Sequence, residues 1–174
     1  EGSEEQSVPI LFDKKTKRIV NNESAEIIRM LDRCALDLGA SEGRPQLYPD
    51  DVAVRAEIDE LNQRIYVGIN NGAYKAGFSS DQAVYGKAYR GYFGTLEMLE
   101  AKLASDGRPF LTGEHFTEAD LRLFPTLYRH DPVYYVRMKL NAAKILDYPH
   151  LWRWLCRVYA LPGVADSGSL VHCR

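Results

Sequence analysis

The sequence predicts a mainly α protein: an all-helical domain preceded by a β-β-α unit. Two short apolar runs, Ile10, Leu11 and Phe12 and then Ile19 and Val20, flank a charged turn at residues 13–17. That is the pattern of a hairpin. From Asp50 onward the apolar residues recur at spacings of three and four, which is the helical period. Between the two, residues 41–49 (SEGRPQLYP) concentrate Gly, Pro and polar side chains and read as a linker.

Residues 1–7 (EGSEEQS) are polar and expected to fray. Pro9 stands before the first strand, and X-Pro bonds are the ones that adopt cis. We expect Val8–Pro9 to be cis, which exposes the Val8 backbone for pairing with an extended peptide. After the second strand, Asn21, Asn22, Glu23 and Ser24 offer side-chain acceptors to the free N–H groups of a following helix. Ile27, Ile28, Leu31 and Ala35 share its inward face. A hairpin feeding a helix N-terminus is a device for holding an anion, because first-turn N–H groups lack intrahelical partners and the dipole is positive there. Ser24 adds a hydroxyl donor for a carboxylate, and Glu23 can take an ammonium group. The pair suits an amino-acid zwitterion; the competing reading is an ordinary hairpin and cap.

In the helical part, Asp50 or Asp51 caps a helix whose core stripe is Val54, Ile58, Leu61, Ile65 and Ile69. Residues 70–78 (NNGAYKAGF) carry turn or helix-end chemistry, which holds Tyr74 on an irregular segment. Ser80 opens a long helix with Val84, Ala88, Leu96, Leu99 and Leu103 inward. Gly91 and Gly94 weaken it or admit another backbone, and Tyr85, Tyr89 and Tyr92 share a face. After a turn at residues 107–114, Thr117 and Asp120 form a capping box, with Phe116 and Leu121 at the staple positions. This is a structural device. Pro125 and Asp131-Pro132 interrupt the next helix. His130 and Asp131 are helical neighbours that point apart, which argues against a catalytic dyad. Tyr134 or Tyr135 is the better candidate for lining a hydrophobic pocket. The last helix opens at residues 147–150 with Pro149 in its first turn, buries Leu151, Trp154, Leu155 and Val158, and ends at residues 161–164.

With 45% hydrophobic and 26% charged residues among 174, the composition is that of a soluble globular protein. A net charge of −2 gives no electrostatic reason to expect nucleic acid or an anionic membrane as partner. No apolar run approaches the roughly 20 residues of a membrane span, and the acidic start is wrong for a signal peptide. Cys34, Cys156 and Cys173 lack disulfide-framework spacing, and His115, His130, His150 and His172 lack metal-ligand spacing. We expect no metal and a cytoplasmic location.

Three motifs in order, NNES with the preceding VP, NNGAYKAGF and DPVYY, resemble the xi class of glutathione transferases, the glutathionyl-hydroquinone reductases. The resemblance runs from Val8 to about Ala165. It implies the second half of a thioredoxin-like glutathione-binding domain at residues 1–37, a linker at 38–50, the all-α transferase C-terminal domain at 51–165 and a tail at 166–174. Glutathione is the implied co-substrate, held by Val8, Glu23 and Ser24. Tyr74 is the implied catalytic tyrosine at the quinone oxygen, and Tyr134 lines the implied substrate pocket. The family's Thr-x-x-Asp box opens a central buried helix and matches Thr117 and Asp120. A homodimer joined through helical domains is also implied.

Two departures stand out. The family's nucleophile lies in a Cys-Pro motif, and no Cys-Pro dipeptide occurs in these 174 residues. The chain is therefore expected to start inside a domain and to be inactive or impaired alone, and a non-catalytic binding or assembly module is the alternative. The family's FDPVYY has His130 in place of its phenylalanine.

Overall fold

The computed structural model describes residues 8–170, in two compact units, Glu1–Tyr48 and Pro49–Arg174. In the first unit, strands β1 (Leu11–Asp13) and β2 (Arg18–Asn21) pair antiparallel, Phe12 opposite Ile19, with a bulge between Leu11 and Phe12. Asp13 closes the turn by accepting from Lys15 N at 2.8 Å and Thr16 Oγ1 at 2.6 Å. These bonds hold its carboxyl below the usual value. The Val8–Pro9 bond is cis, as expected. Helix α1 (Ser24–Arg33) follows. Its face differs from the one expected: Ile27 is buried and Ile28 partly so, but Leu31 is half exposed and Ala35 lies beyond the end of the helix at Arg33. The linker is pinned. Asp32 pairs with Arg44 at 2.7 Å and accepts from Leu47 N and Tyr48 N, each at 3.3 Å.

The second unit is all helical. Asp51, not Asp50, caps α2 (Val52–Ile65), accepting from Ala53 N and Val54 N, while Asp50 pairs with Arg55. Ile58, Leu61, Ile65 and Ile69 are buried as expected, with Val54 at the margin. The chain then stays helical where a turn was expected. A π turn, Tyr66–Asn70, leads directly into α3 (Asn71–Gly77), so Tyr74 stands on a helix. The reason lies in tertiary partners. The Asn70 amide donates to Arg122 O at 3.1 Å and Thr126 Oγ1 at 2.7 Å, so it is unavailable to cap or turn its own backbone.

Helix α4 (Gln82–Asp106) starts two residues later than Ser80, because Asp81 caps it through Ala83 N and Val84 N. Leu96, Leu99 and Leu103 are buried, but Val84, one turn from the end, is exposed. No atom comes within 4 Å of where a Cβ would stand on Gly91 or Gly94. The close approach is at Gly68 instead, where a Cβ would fall 2.9 Å from Thr95 Cβ.

Helix α5 (Glu118–Tyr128) is the buried centre, and its capping box is present: Thr117 N donates to Asp120 Oδ2 at 3.0 Å. Phe116 meets Phe110 edge-on at 6.0 Å. Pro125 does not end α5, and Asp131-Pro132 falls in a π turn (His130–Tyr134) that runs on into α6 (Tyr135–Arg137). The expected break at Asp131-Pro132 is thus a change of helical pitch, and the one at Pro125 does not occur. Each proline removes one N–H from the ladder, and the chain stays helical around it. Helix α7 (Pro149–Tyr159) buries Leu151, Trp154, Leu155 and Val158, and the short α8 (Val164–Ser167) gives order to part of the expected tail. The expectations for residues 1–7 and for Cys173 lie outside the described residues. No helix among the described residues is long and apolar enough to cross a membrane.

Candidate functional site

In the first unit the hairpin delivers Glu23 as the residue before α1 and Ser24 as its first residue. Contrary to expectation, the polar cluster does not cap the helix with a side chain. Asn21 is committed elsewhere, accepting from Glu23 N at 2.7 Å and donating to Glu26 Oε2 at 2.5 Å. The Glu23 carbonyl accepts from Glu26 N and Ile27 N. Among the described residues, the Glu23 carboxylate and Ser24 hydroxyl have no partner, and both residues are exposed. A helix start with an uncapped first turn, a free hydroxyl and a free carboxylate can receive a carboxylate and an ammonium group. Val8 is exposed at the start of the hairpin.

In the second unit two aromatic residues, 60 apart in sequence, meet. The Tyr74 and Tyr134 ring centroids are 6.3 Å apart at 73°, edge to face, and Phe78 stacks on Tyr74 at 5.9 Å. Tyr134 is buried, whereas Tyr74 is 44% exposed, so the pair presents one phenol from a fixed base. Gly77 permits the approach. A Cβ there would fall 1.8 Å from Met138 Sδ, just past the π turn that carries Tyr134. Arg129 lies 5.8 Å from the Tyr134 ring centre. The larger concavity nearby, about 830 Å³ and lined by Arg64, Val67, Lys75, Lys87 and Met98, does not include either tyrosine.

Sequence reasoning missed one buried group. His130 is fully buried, and its Nδ1 lies 2.8 Å from the Tyr92 hydroxyl while Nε2 lies 3.1 Å from Ala143 O. Burial pushes its pKa below the ordinary 6.5 and pushes Tyr92 well above the usual phenol value. The adjacent Asp131 does not pair with His130; it accepts from Ile145 N at 2.8 Å. The available signal was the histidine standing where the resembled family's FDPVYY has phenylalanine. No group of three or more His, Cys, Asp or Glu among the described residues is placed to hold a metal.

A profile described as glutathione S-transferase, C-terminal domain, matches residues 73–157. Over 168 residues the chain is 44% identical to glutathionyl-hydroquinone reductase PcpF of Sphingobium chlorophenolicum and 45% identical to glutathionyl-hydroquinone reductase YqjG of Escherichia coli K12. Each alignment covers 97% of this chain, but 52% and 49% of those proteins, so the chain spans about half the length of the curated relatives it matches. Glutathione-bound YqjG from Escherichia coli K-12 superposes with a TM-score of 0.90 at 44% identity, covering 99% of this chain and 54% of that one. Glutathione transferase Xi 1 from Trametes versicolor gives 0.90 at 41%, covering 98% and 59%.

The β-β-α unit and the helical unit are thus a thioredoxin-like part and a glutathione transferase C-terminal domain. Residues 73–157 carry the glutathione transferase C-terminal domain, and over nearly its whole length the chain is similar to xi-class glutathione transferases.

Proposed function

We propose that this chain is the glutathione- and hydroquinone-binding part of a glutathionyl-hydroquinone reductase. The reaction converts a glutathionyl-hydroquinone and a second glutathione into the free hydroquinone and glutathione disulfide. A cysteine thiolate attacks the thioether sulfur, the aryl carbon leaves and takes up a proton, and the second glutathione thiolate resolves the mixed disulfide. Glutathione is the co-substrate. Glu23 takes its γ-glutamyl ammonium, Ser24 and the α1 start take the carboxylate, and Val8 pairs with the cysteinyl backbone. Tyr74 protonates or hydrogen-bonds the quinone oxygen, with Tyr134 as the wall behind it. Residues 1–37 and 51–165 are the two domain parts, the assembly is a homodimer, and the compartment is the cytoplasm.

The observation that carries this reading is the Tyr74–Tyr134 pair, which joins two of the family's motifs in one feature with one phenol open. A non-catalytic binding module is the second reading. It is favoured by cysteine placement among the described residues, since Cys34 sits at the C-terminal end of α1 and Cys156 inside α7, neither of them at a helix start. Calorimetric titration of the chain with glutathione and with hydroquinone tests the first reading. Saturable binding of both supports the reductase part, and binding of neither sinks it.

A further inference from the structure

The His130 imidazole is held from both sides in a way that fixes its protonation. Ala143 O is a carbonyl and only accepts, so Nε2 carries the hydrogen and Nδ1 is left to accept from the Tyr92 hydroxyl. The Tyr92 ring stacks on the imidazole at 5.5 Å, and Phe93 and Tyr135 meet it edge-on at 6.3 and 6.4 Å. The residue ties α4, the π turn and the segment at Ala143 together. It is also the first residue of the turn that ends in Tyr134, the ring on which Tyr74 rests.

We propose that neutral His130 is a positioning residue for the Tyr74–Tyr134 pair, so that protonating His130 loosens the pair and weakens hydroquinone binding at Tyr74. This rests on the reading of Tyr74 as the hydroquinone contact. Protonation turns Nδ1 into a donor and reverses the Tyr92 hydroxyl, whose hydrogen then has no acceptor among the described residues. It also places a cation in an apolar enclosure. The change falls on the contact between Tyr92 and the π turn, since the Ala143 carbonyl keeps its bond in either state.

The charged and titratable groups facing this centre are few. Asp131, on the same turn, favours the cation but is committed to Ile145 N. From α4 the facing group is Tyr92, neutral across the accessible range. Tyr134 has Arg129 over its ring, and Tyr148 stands at the start of α7. From the Ala143 segment, Lys144 lies 5.7 Å from the Tyr135 ring. Asp131 is the one carboxylate among these facing groups and burial outweighs it, so the imidazole takes up its proton only below the ordinary 6.5.

The test follows three quantities on the 174-residue chain between pH 7.5 and 5: the His130 ring nitrogen shifts, the Tyr74–Tyr134 ring-to-ring NOEs, and the hydroquinone dissociation constant. The expected result is that all three change together, at a midpoint below 6.5, with affinity falling about fivefold or more, the lower end of a site-to-site coupling. His130→Phe, which restores an apolar ring, is expected to flatten the affinity profile. Tyr92→Phe, which removes the hydroxyl that protonation strands, is expected to move the midpoint upward. Ring contacts that persist unchanged through the His130 titration overturn the proposal, as does an imidazole that stays neutral until the chain unfolds. Absence of hydroquinone binding at every pH overturns the assignment of Tyr74 instead, and the NOEs still decide whether His130 positions the pair.

Discussion

Trp154 donates its indole N–H to Asp120 Oδ1 at 2.8 Å, joining the last long helix to the buried cap of α5. The same oxygen accepts from Leu111 N at 3.0 Å, and Oδ2 accepts from Thr117 N at 3.0 Å and Thr117 Oγ1 at 3.1 Å. One carboxylate therefore joins three segments. Burial raises its pKa despite these bonds. Asp120→Ala strands two buried donors and a cap, and we expect a loss of about 3 kcal/mol in stability, since each such donor costs about 1–3. Urea unfolding of the variant measures it; a loss under about 0.5 kcal/mol, the usual range for a surface change, contradicts this role.

The shift at Asp120 also sets a sign. A carboxyl whose folded pKa is raised contributes stability that is present below 3.8 and lost as pH rises through the folded value. His130 has the opposite dependence. Its folded pKa is lowered, so its contribution is present above 6.5 and is lost as pH falls through the folded value. Thermal unfolding should show stability declining as pH drops below 6.5, and His130→Phe should remove most of that decline. An unchanged slope in the variant assigns the decline to other groups.

Helix α7 begins on a carboxylate from another helix. Glu100 accepts from His150 N at 3.0 Å and Leu151 N at 2.8 Å, an anion on the positive end of the dipole. Glu100→Gln keeps the shape and one acceptor but loses the charge. We expect a cost of about 1 kcal/mol that shrinks in high salt. A cost independent of salt would show that charge is not the cause.

Turnover should be absent from these 174 residues by themselves. Cys34 stands at the C-terminal end of α1 and Cys156 lies within α7, and neither is part of a Cys-Pro motif. Losing the nucleophile of a catalytic unit costs several orders of magnitude in rate. An assay with glutathionyl-hydroquinone and excess glutathione should release no hydroquinone above background. Steady release that vanishes on Cys34→Ser, Cys156→Ser or Cys173→Ser would show that the active site has been misplaced.

The architecture was legible because periodicity reports burial. The α2 stripe, the Thr117–Asp120 box and the inner face of α7 follow from spacing and side-chain chemistry alone. What spacing could not reveal is where polar side chains find distant partners. Asn70 looks like a turn residue until Thr126 and Arg122 take its amide. Gly77 looks like a helix stop, yet it makes room for Met138. The resemblance singled out Tyr74 and Tyr134, but their meeting depends on two π turns that no local pattern announces. The Tyr92–His130 bond was invisible for the same reason, being a contact across 38 residues.

The central claim assigns each half of the substrate to its own residues, and ligand affinities test it most directly. Calorimetry on the 174-residue chain compares glutathione and hydroquinone across Ser24→Ala, Glu23→Gln and Tyr74→Phe. Loss of a charge-assisted hydrogen bond is worth about 1.5–3 kcal/mol, so glutathione should weaken about tenfold or more with Glu23→Gln and keep its affinity with Tyr74→Phe. Hydroquinone should show the reverse, weakening with Tyr74→Phe and ignoring changes at Ser24 and Glu23. Glutathione binding indifferent to Glu23 and Ser24, or hydroquinone binding indifferent to Tyr74, would contradict the assignment.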